Sequence, residues 1–236
     1  MPHLRFSVFA VSCALSLALG CSQSVESTDI RTTGIYPEIT VTATGSGTSK
    51  VEVQLKVGGS SSNTYLDLTG EDQLKATVGG TAKILDDTGS HTYSASFPVD
   101  DEGTEFVISF LRGKIDDSAP ASTVSMPAPF DFSVMPTEAS RATEAVELSW
   151  APPATGNVRW SIDGDCIQLD SGSTPDDGTQ ALAEGSIGTF DSDKNKSCTV
   201  NVELARSQSG EVDPAFTEGG SIVARQVRSA SFTSNP

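Results

Sequence analysis

The chain has 236 residues, of which 36% are hydrophobic, 6% aromatic and 19% charged. This length suffices for one or two domains, and the low aromatic content is typical of small β-sandwiches. The 31 acidic residues outweigh the 15 basic ones and give a net charge of −16, which disfavours binding to nucleic acid and electrostatic docking on anionic lipid head groups.

The first residues have the pattern of an export signal. Arg5 precedes the mostly apolar run Phe6–Ala18, which is too short to span a bilayer comfortably but fits the core of a signal peptide. The run ends in Leu17-Ala18-Leu19-Gly20-Cys21, and this pentapeptide resembles the lipobox of bacterial lipoproteins. The resemblance implies that residues 1–20 are removed and that lipid is attached to Cys21. The alternative is an ordinary secretory signal followed by an incidental cysteine.

Lipid on Cys21 would make a membrane the partner of this chain, because two or three acyl chains on one residue hold a protein stably. Ser22 follows the cysteine where an aspartate could stand, which in enterobacterial lipoproteins resembles a signal for the outer membrane. Residues 21–35 are polar and lack an apolar period, so we expect a lipidated tether. About 14 flexible residues would give it a reach of roughly 20 Å.

From Tyr36 the hydrophobic period is two. Lys50–Val57 places four apolar side chains on one face and polar ones on the other, as in a half-buried antiparallel strand. Further short strands are predicted at Glu38–Ala43, Tyr65–Leu68, Leu74–Val78, Ala82–Leu85, Tyr93–Phe97, Glu105–Leu111 and Ser122–Met126. Turn residues separate them, so residues 36–129 are predicted to form a β-sandwich with generic immunoglobulin-like features.

A stiff segment, Met126-Pro127-Ala128-Pro129, indicates a domain boundary near Phe130, because each proline fixes φ. Residues 130–236 contain a second set of alternating segments. These predicted strands are Val146–Trp150, Val158–Ile162, Cys198–Leu204 and Ser221–Phe232. The fold class expected for the whole chain is therefore all-β, with two tandem sandwiches.

The second set also resembles the fibronectin type III family over about 100 residues. Leu148-x-Trp150-x-Pro152-Pro153 is similar to strand B of that family, Val158–Ile162 to strand C, and the alternating segment from Cys198 to strand F. The resemblance implies a fibronectin III-like sandwich for residues 130–236. One departure is that Cys198 stands where the family usually has its corner tyrosine.

Two cysteines, Cys166 and Cys198, would remain after signal cleavage and lipidation. An even pair in an oxidising compartment favours a disulfide, and two cysteines without a histidine partner make a weaker metal site. Such a bridge would replace the missing corner tyrosine as a link in the second domain. Its reduction would then be expected to destabilise that domain alone.

Residues that could support catalysis or metal binding are sparse. His91 would be the mature chain's only histidine and lies in a turn-like stretch, which predicts a surface histidine in preference to a catalytic base. Asp191, Asp193 and Asn195 alternate as Ca²⁺ ligands do, but lysines interrupt the loop and favour a solvated turn. Trp150 and Trp160 could stack on sugars, although their register favours the core.

These patterns predict a membrane-anchored lipoprotein of the cell envelope, in the outer membrane, with a non-catalytic structural or binding role. The alternative is a carbohydrate- or protein-binding accessory or adhesion module at the cell surface. A hydrolase that uses two acidic residues in a cleft is a third possibility. No cofactor, resident metal or nucleic-acid partner is expected, and the protein or glycan partner is left open.

Overall fold

The computed structural model describes residues 23–113 and 116–236. This part of the chain contains eighteen β-strands, three short 3-10 helices and no α-helix, which confirms the all-β prediction. None of its helices has the length and apolar character needed to span a membrane. The expected signal peptide and Cys21 lie outside the described residues.

The first half of the chain forms one lobe of two sheets around a shared core. Its strands are β1 Gln23–Glu26, β2 Ile35–Ala43, β3 Ser49–Val57, β4 Thr64–Asp67, β5 Gln73–Val78, β6 Thr81–Ile84, β7 Asp86–Asp87, β8 Tyr93–Phe97, β9 Glu105–Leu111 and β10 Ala119–Ser125. Strands β10, β9, β5 and β6 form one sheet in that order, and the remaining strands belong to the other. The alternation in β3 buries Val51, Val53 and Leu55, as the sequence predicts.

The second half forms another lobe with its own core. Its strands are β11 Asp131–Val134, β12 Glu138–Ser140, β13 Val146–Ala151, β14 Asn157–Asp163, β15 Asp170–Pro175, β16 Thr179–Leu182, β17 Cys198–Ser209 and β18 Ser221–Asn235. A three-stranded sheet, β11-β13-β16, lies against β15-β14-β17-β18. The segments expected to be strands B, C and F are β13, β14 and β17.

The two lobes share the longest strand. Over Ser221–Gln226, β18 pairs in parallel with β2 of the first lobe, and over residues 223–234 it pairs with β17. One sheet of eleven strands therefore continues through both lobes. The chain crosses between them at the proline segment before Phe130 and crosses again through the hairpin of β17 and β18.

The connection between β17 and β18 completes the first lobe. Phe216 is buried in the first core and stacks near Phe110, with ring centroids 6.2 Å apart. Asp213 accepts a hydrogen bond from the backbone N–H of Ala121 in β10 at 2.8 Å. Residues 210–226 thus belong to the first lobe in space, although they follow the second lobe in the chain.

The segment expected to be a flexible tether is instead fixed to the first lobe, which corrects that expectation for residues 23–34. Gln23–Glu26 pairs with β4. The buried Arg112 guanidinium donates to the carbonyls of Ser27 at 2.8 Å and Ile30 at 3.0 Å. A side chain 82 to 85 residues away orders a segment that has few apolar residues of its own, so hydrophobic pattern alone does not reveal its structure.

Arg112 also faces a buried carboxylate. Its Nε lies 3.0 Å from Oδ2 of Asp72, and both side chains are almost fully buried. Asp72 accepts a further bond from the N–H of Gly113 through Oδ1. The contact between Arg112 and Asp72 therefore joins three segments: the N-terminal segment, the β4–β5 connection and the residues after β9.

A second buried arginine fixes the junction of the lobes. Arg206 contacts Asp176 through two hydrogen bonds of 2.5 and 2.8 Å and donates to the carbonyl of Ala128 at 2.8 Å. Its guanidinium lies 4.8 Å from the ring of Phe130, and that of Arg228 lies 5.3 Å from the same ring. Phe130 is buried and has two guanidinium groups near its ring, so the proline segment ends at a residue with fixed contacts.

Candidate functional site

Cys166 and Cys198 form the predicted disulfide, with their Cα atoms 5.8 Å apart. Cys166 follows the end of β14 and Cys198 begins β17, so the bridge links these two strands at the far end of the second lobe. The buried Sγ of Cys166 also lies near Arg141, whose Nη1 is 3.8 Å away. The pair has a structural position in the second core.

The loop that carries Asp191, Asp193 and Asn195 contains cations supplied by the protein itself. Lys194 pairs with Asp191 at 2.9 Å, and Lys196 pairs with Asp193 at 2.5 Å. The hydrogen bond from Lys196 lowers the pKa of Asp193. Across residues 23–113 and 116–236, no cluster of three or more His, Cys, Asp or Glu side chains could hold a metal.

Arg141 occupies the inner side of the same loop. Its Nη2 donates to the carbonyls of Asp193 at 3.2 Å, Lys194 at 2.8 Å and Lys196 at 2.8 Å. Backbone carbonyls are among the ligands that a Ca²⁺ loop contributes, together with carboxylates. In this loop they bind a buried guanidinium, which anchors the loop to the end of the second lobe.

His91 lies in a turn on the first lobe, as expected, but it is packed more closely than a free surface side chain. Its ring stacks on Tyr65 with centroids 4.9 Å apart, and its Nδ1 lies 3.1 Å from Oδ1 of Asp67. A hydrogen bond from Ser24 is the largest influence on Asp67 and lowers its pKa; burial opposes this, and His91 adds to the lowering. Ser90 and His91 both have positive φ, at 51° and 58°. Within the described chain, Asp67 is the hydrogen-bond partner of the imidazole and Tyr65 stacks on it, so these two side chains fix the orientation of the ring.

The two tryptophans differ in burial. Trp150 is a core residue, and its Nε1 donates to the buried Asp176 at 2.7 Å. Trp160 is half-buried and lies over Gly172 of β15, at a distance where a Cβ on that glycine would be only 2.8 Å from the indole. Neither ring forms the exposed platform that sugar stacking requires, so the prediction of core positions holds fully for Trp150 and partly for Trp160.

A mostly apolar groove in the first lobe has a volume of about 740 Å³. It lies where β5, β8 and β9 approach the junction of the lobes. The residues that line it are Thr77, Val78, Gly79, Gly80, Thr81, Phe97, Pro98, Val99, Thr104, Glu105 and Val107. Its volume falls in the range of ligand sites, which are mostly apolar with a few polar groups.

The floor and the rim of this groove differ in character. Val78 and Phe97 are buried members of the first core, while Val99 and Val107 are half-buried and accessible from the groove. Glu105 carries the only carboxylate of the lining. The groove therefore does not supply the pair of carboxylates that glycoside hydrolysis needs, and it suits an apolar ligand surface.

Sequence reasoning did not identify the groove. It predicted the strands β5, β6, β8 and β9 that border it, but the groove depends on how two sheets separate at their edges. The turn Gly79-Gly80 and the proline at Pro98 were visible as interruptions of strands. Such interruptions do not distinguish an ordinary turn from the wall of a cavity.

Comparisons with known proteins give a likeness of architecture. No protein-family model matches the chain, and no curated protein matches it. Among solved structures, it is similar to a two fibronectin type-III domain segment from chicken tenascin. That similarity has 13% sequence identity, covers 85% of this chain and 99% of that chain, and has a TM-score of 0.25. A likeness at this level carries no argument about function.

Proposed function

We propose that this chain is a lipoprotein of the cell envelope, anchored through lipid on Cys21, whose two-lobed β body has a non-catalytic binding or structural role. The observation that carries the proposal is the position of Gln23. Its backbone N–H donates to the carbonyl of Asn63 at 3.1 Å. Since Asn63 belongs to the loop after β3, Gln23 lies at the end of the first lobe that faces away from the second.

Strand directions support this assignment of the two ends. β18 runs in parallel with β2 and then continues into the second lobe. β3 is antiparallel to β2, so its last residue, Val57, lies at the end of the first lobe remote from the junction. Gln23 therefore lies at one tip of the two-lobed body, and β18 ends at the opposite tip.

This geometry would place the body upright on a membrane. Cys21 is two residues before Gln23, which corresponds to at most about 7 Å of extended chain. β18 has 15 residues, or roughly 50 Å at the usual rise of a strand. A lipid on Cys21 would hold the first lobe close to the bilayer and direct the second lobe away from it.

Of the two binding alternatives, the groove favours a protein partner over a carbohydrate. Its lining combines three valines, a proline and a phenylalanine with three threonines, two glycines and a single carboxylate. Sugar sites usually offer an exposed aromatic platform beside polar groups, whereas Trp150 is buried and Trp160 is half-buried over Gly172. The outer membrane is the location we propose from Ser22.

The anchor is tested by replacing Cys21→Ser and supplying labelled palmitate. We expect the label to be lost and the chain to become unprocessed or soluble, because the serine oxygen does not replace the cysteine sulfur in lipid transfer. Cys13→Ser is the matched control, since that cysteine lies within the expected signal peptide, and it should label as wild type does. Palmitate incorporation into the Cys21→Ser protein would contradict the proposal. Sucrose-gradient separation of the membranes then tests the outer-membrane assignment.

A further inference from the structure

Two strands beside the apolar groove have a free edge. β6 pairs with β5 alone. β8 pairs with β3 over its whole length, but β7 covers only its first two residues, Tyr93 and Ser94. The last three residues of β8 therefore have no strand on their outer side within the described chain. Thr81, which begins β6, and Phe97, which ends β8, both line the groove.

Lys83 covers part of this free edge. Its Nζ donates to the carbonyl of Ser96 in β8 at 2.6 Å and lies 5.1 Å from the centre of the Phe97 ring. Lysines on edge strands commonly prevent unwanted strand pairing. Next to it, Ile84 of β6 leaves a large apolar side chain 49% exposed. Within the described residues, no strand pairs with this part of the edge, and the Lys83 side chain hydrogen-bonds to it.

The surroundings of the groove are acidic. Asp101 and Glu102 are exposed on the loop between Val99 and Thr104, both of which line the groove, and Glu105 is exposed in its wall. Asp86 and Asp87 of β7 are exposed on the neighbouring edge. Among the described residues, none of these five carboxylates is in a salt bridge. A partner with basic side chains would therefore meet uncompensated negative charge.

We propose that the groove binds an extended, basic peptide segment of a partner protein, which adds as a strand at the β6–β8 opening. Main-chain hydrogen bonds would supply affinity, as in other cases of strand addition, and alternate side chains would supply specificity. One apolar side chain of the segment contacts Val99 and Val107, and its lysines or arginines face Glu102 and Glu105. The incoming strand takes the position of the Lys83 ammonium at the Ser96 carbonyl. This deepens the binding role proposed above but does not depend on the anchor, because it concerns contacts in solution.

The test uses the mature protein in detergent and a fluorescently labelled nonapeptide in which valine alternates with lysine. The protein is titrated into the peptide, and binding is measured by fluorescence anisotropy. We expect saturable binding. A matched peptide with glutamate for lysine should bind at least about tenfold more weakly, because like charges placed across an interface are strongly unfavourable. A version with proline for the central valine should also lose binding, since proline removes a main-chain donor. Equal binding of the glutamate or the proline peptide would overturn the proposal.

Variants locate the binding on the protein. Val99→Ser should weaken binding by roughly tenfold through loss of apolar contact, while Val134→Ser, at a valine that is 71% exposed on β11, should leave it unchanged. Lys83→Ala should strengthen binding because it uncovers the edge. The exposed double variant Glu102→Gln and Glu105→Gln should weaken binding and reduce its dependence on salt. Because both glutamates are exposed, this double variant still tests the proposal if Val99→Ser does not fold.

Two results would assign the groove to something else. Unchanged affinity in both Val99→Ser and the double glutamine variant would place the peptide elsewhere. Dimers that appear in sedimentation equilibrium, resist the peptide and disappear in Val99→Ser would make a second copy of this chain the occupant, and the proposal would be wrong. The anchor experiment is unaffected by either result, so failure of the groove and failure of the lipoprotein assignment are distinguishable.

Discussion

At the scale of residues, four buried arginines fix segments that have little hydrophobic content of their own. Arg112 holds the N-terminal segment, Arg141 the loop before β17, and Arg206 and Arg228 the junction of the lobes. All four are at most 8% exposed. In the sequence they do not differ from the exposed arginines Arg159 and Arg225, because burial and partners depend on tertiary structure. This is why the ordered segment at residues 23–34 was not predicted.

Arg206→Leu should lower the free energy of unfolding by about 3–5 kcal/mol, because it leaves the buried Asp176 carboxylate without its charged partner. Urea unfolding measures this change. Arg159→Leu is the matched control at an exposed position and should change the free energy by less than about 0.5 kcal/mol. The double variant Arg206→Leu with Asp176→Asn should be less destabilised than the sum of the single variants, and strict additivity would argue against the pair.

The same carboxylate makes stability depend on pH. Burial acts to raise the pKa of Asp176, but hydrogen bonds from Arg206 and Trp150 outweigh it and hold the pKa below its usual value. A carboxyl with a lowered folded-state pKa stabilises the fold fully above its unfolded value of about 3.9, and this contribution is lost as pH falls through the folded value. Wild type should therefore lose stability on acidification from about pH 5 to pH 2. The loss should be smaller in Asp176→Asn, and identical slopes would contradict this role.

At the scale of elements, hydrophobic alternation predicted most strands of the two cores, but not the short strands β11, β12 and β16, which contribute Phe132, Ala139 and Leu182 to the second core. The predicted bounds of Tyr93–Phe97 and Glu105–Leu111 agree with β8 and β9. β15 was not predicted, because Asp170–Pro175 has no apolar residue and becomes a strand only by pairing with β14. The groove was missed for a related reason, since free edges are a property of sheets and not of single segments.

The disulfide joins the ends of two such elements, β14 and β17. Replacing Cys166→Ala together with Cys198→Ala should lower the free energy of unfolding by about 3–4 kcal/mol, as estimated for a closed loop of about 33 residues. Chemical denaturation measures the loss, and reduction of the wild-type protein should reproduce it. A double variant as stable as the oxidised wild type would show that the bridge does not stabilise the fold.

At the scale of the whole molecule, the two lobes are parts of one continuous sheet. Ala224 in β18 is fully buried and pairs with Val41 of β2 on one side and Gln208 of β17 on the other. Sequence analysis expected reduction of the disulfide to destabilise the second domain alone. The shared strand leads to a different prediction, because loss of β18 from one lobe removes a central strand from the other.

The lobes should therefore unfold in a single transition. Trp150 and Trp160 lie in the second lobe, so their fluorescence reports that lobe, while amide exchange of β3 and β9 reports the first. We expect both signals to follow the same urea dependence, and to shift together when the disulfide is reduced. Ala224→Pro removes a ladder hydrogen bond from a central strand. It should therefore lower the urea midpoints of both the tryptophan fluorescence and the amide exchange. Separate midpoints for the two signals would show that the lobes are independent.

The central position of β18 also determines the order in which the body can assemble. β18 follows every other strand in the chain, yet it lies between β2 and β17. A polypeptide is made from its amino terminus, so β18 is synthesised after all the strands that it joins. Until then, one edge of β2 is unpaired and the first core lacks Phe216, Ile222 and Ala224. Contacts between distant parts of a chain form slowly. An unfinished chain should thus remain loosely folded, and both lobes should reach their final structure nearly together, after synthesis of the strand they share.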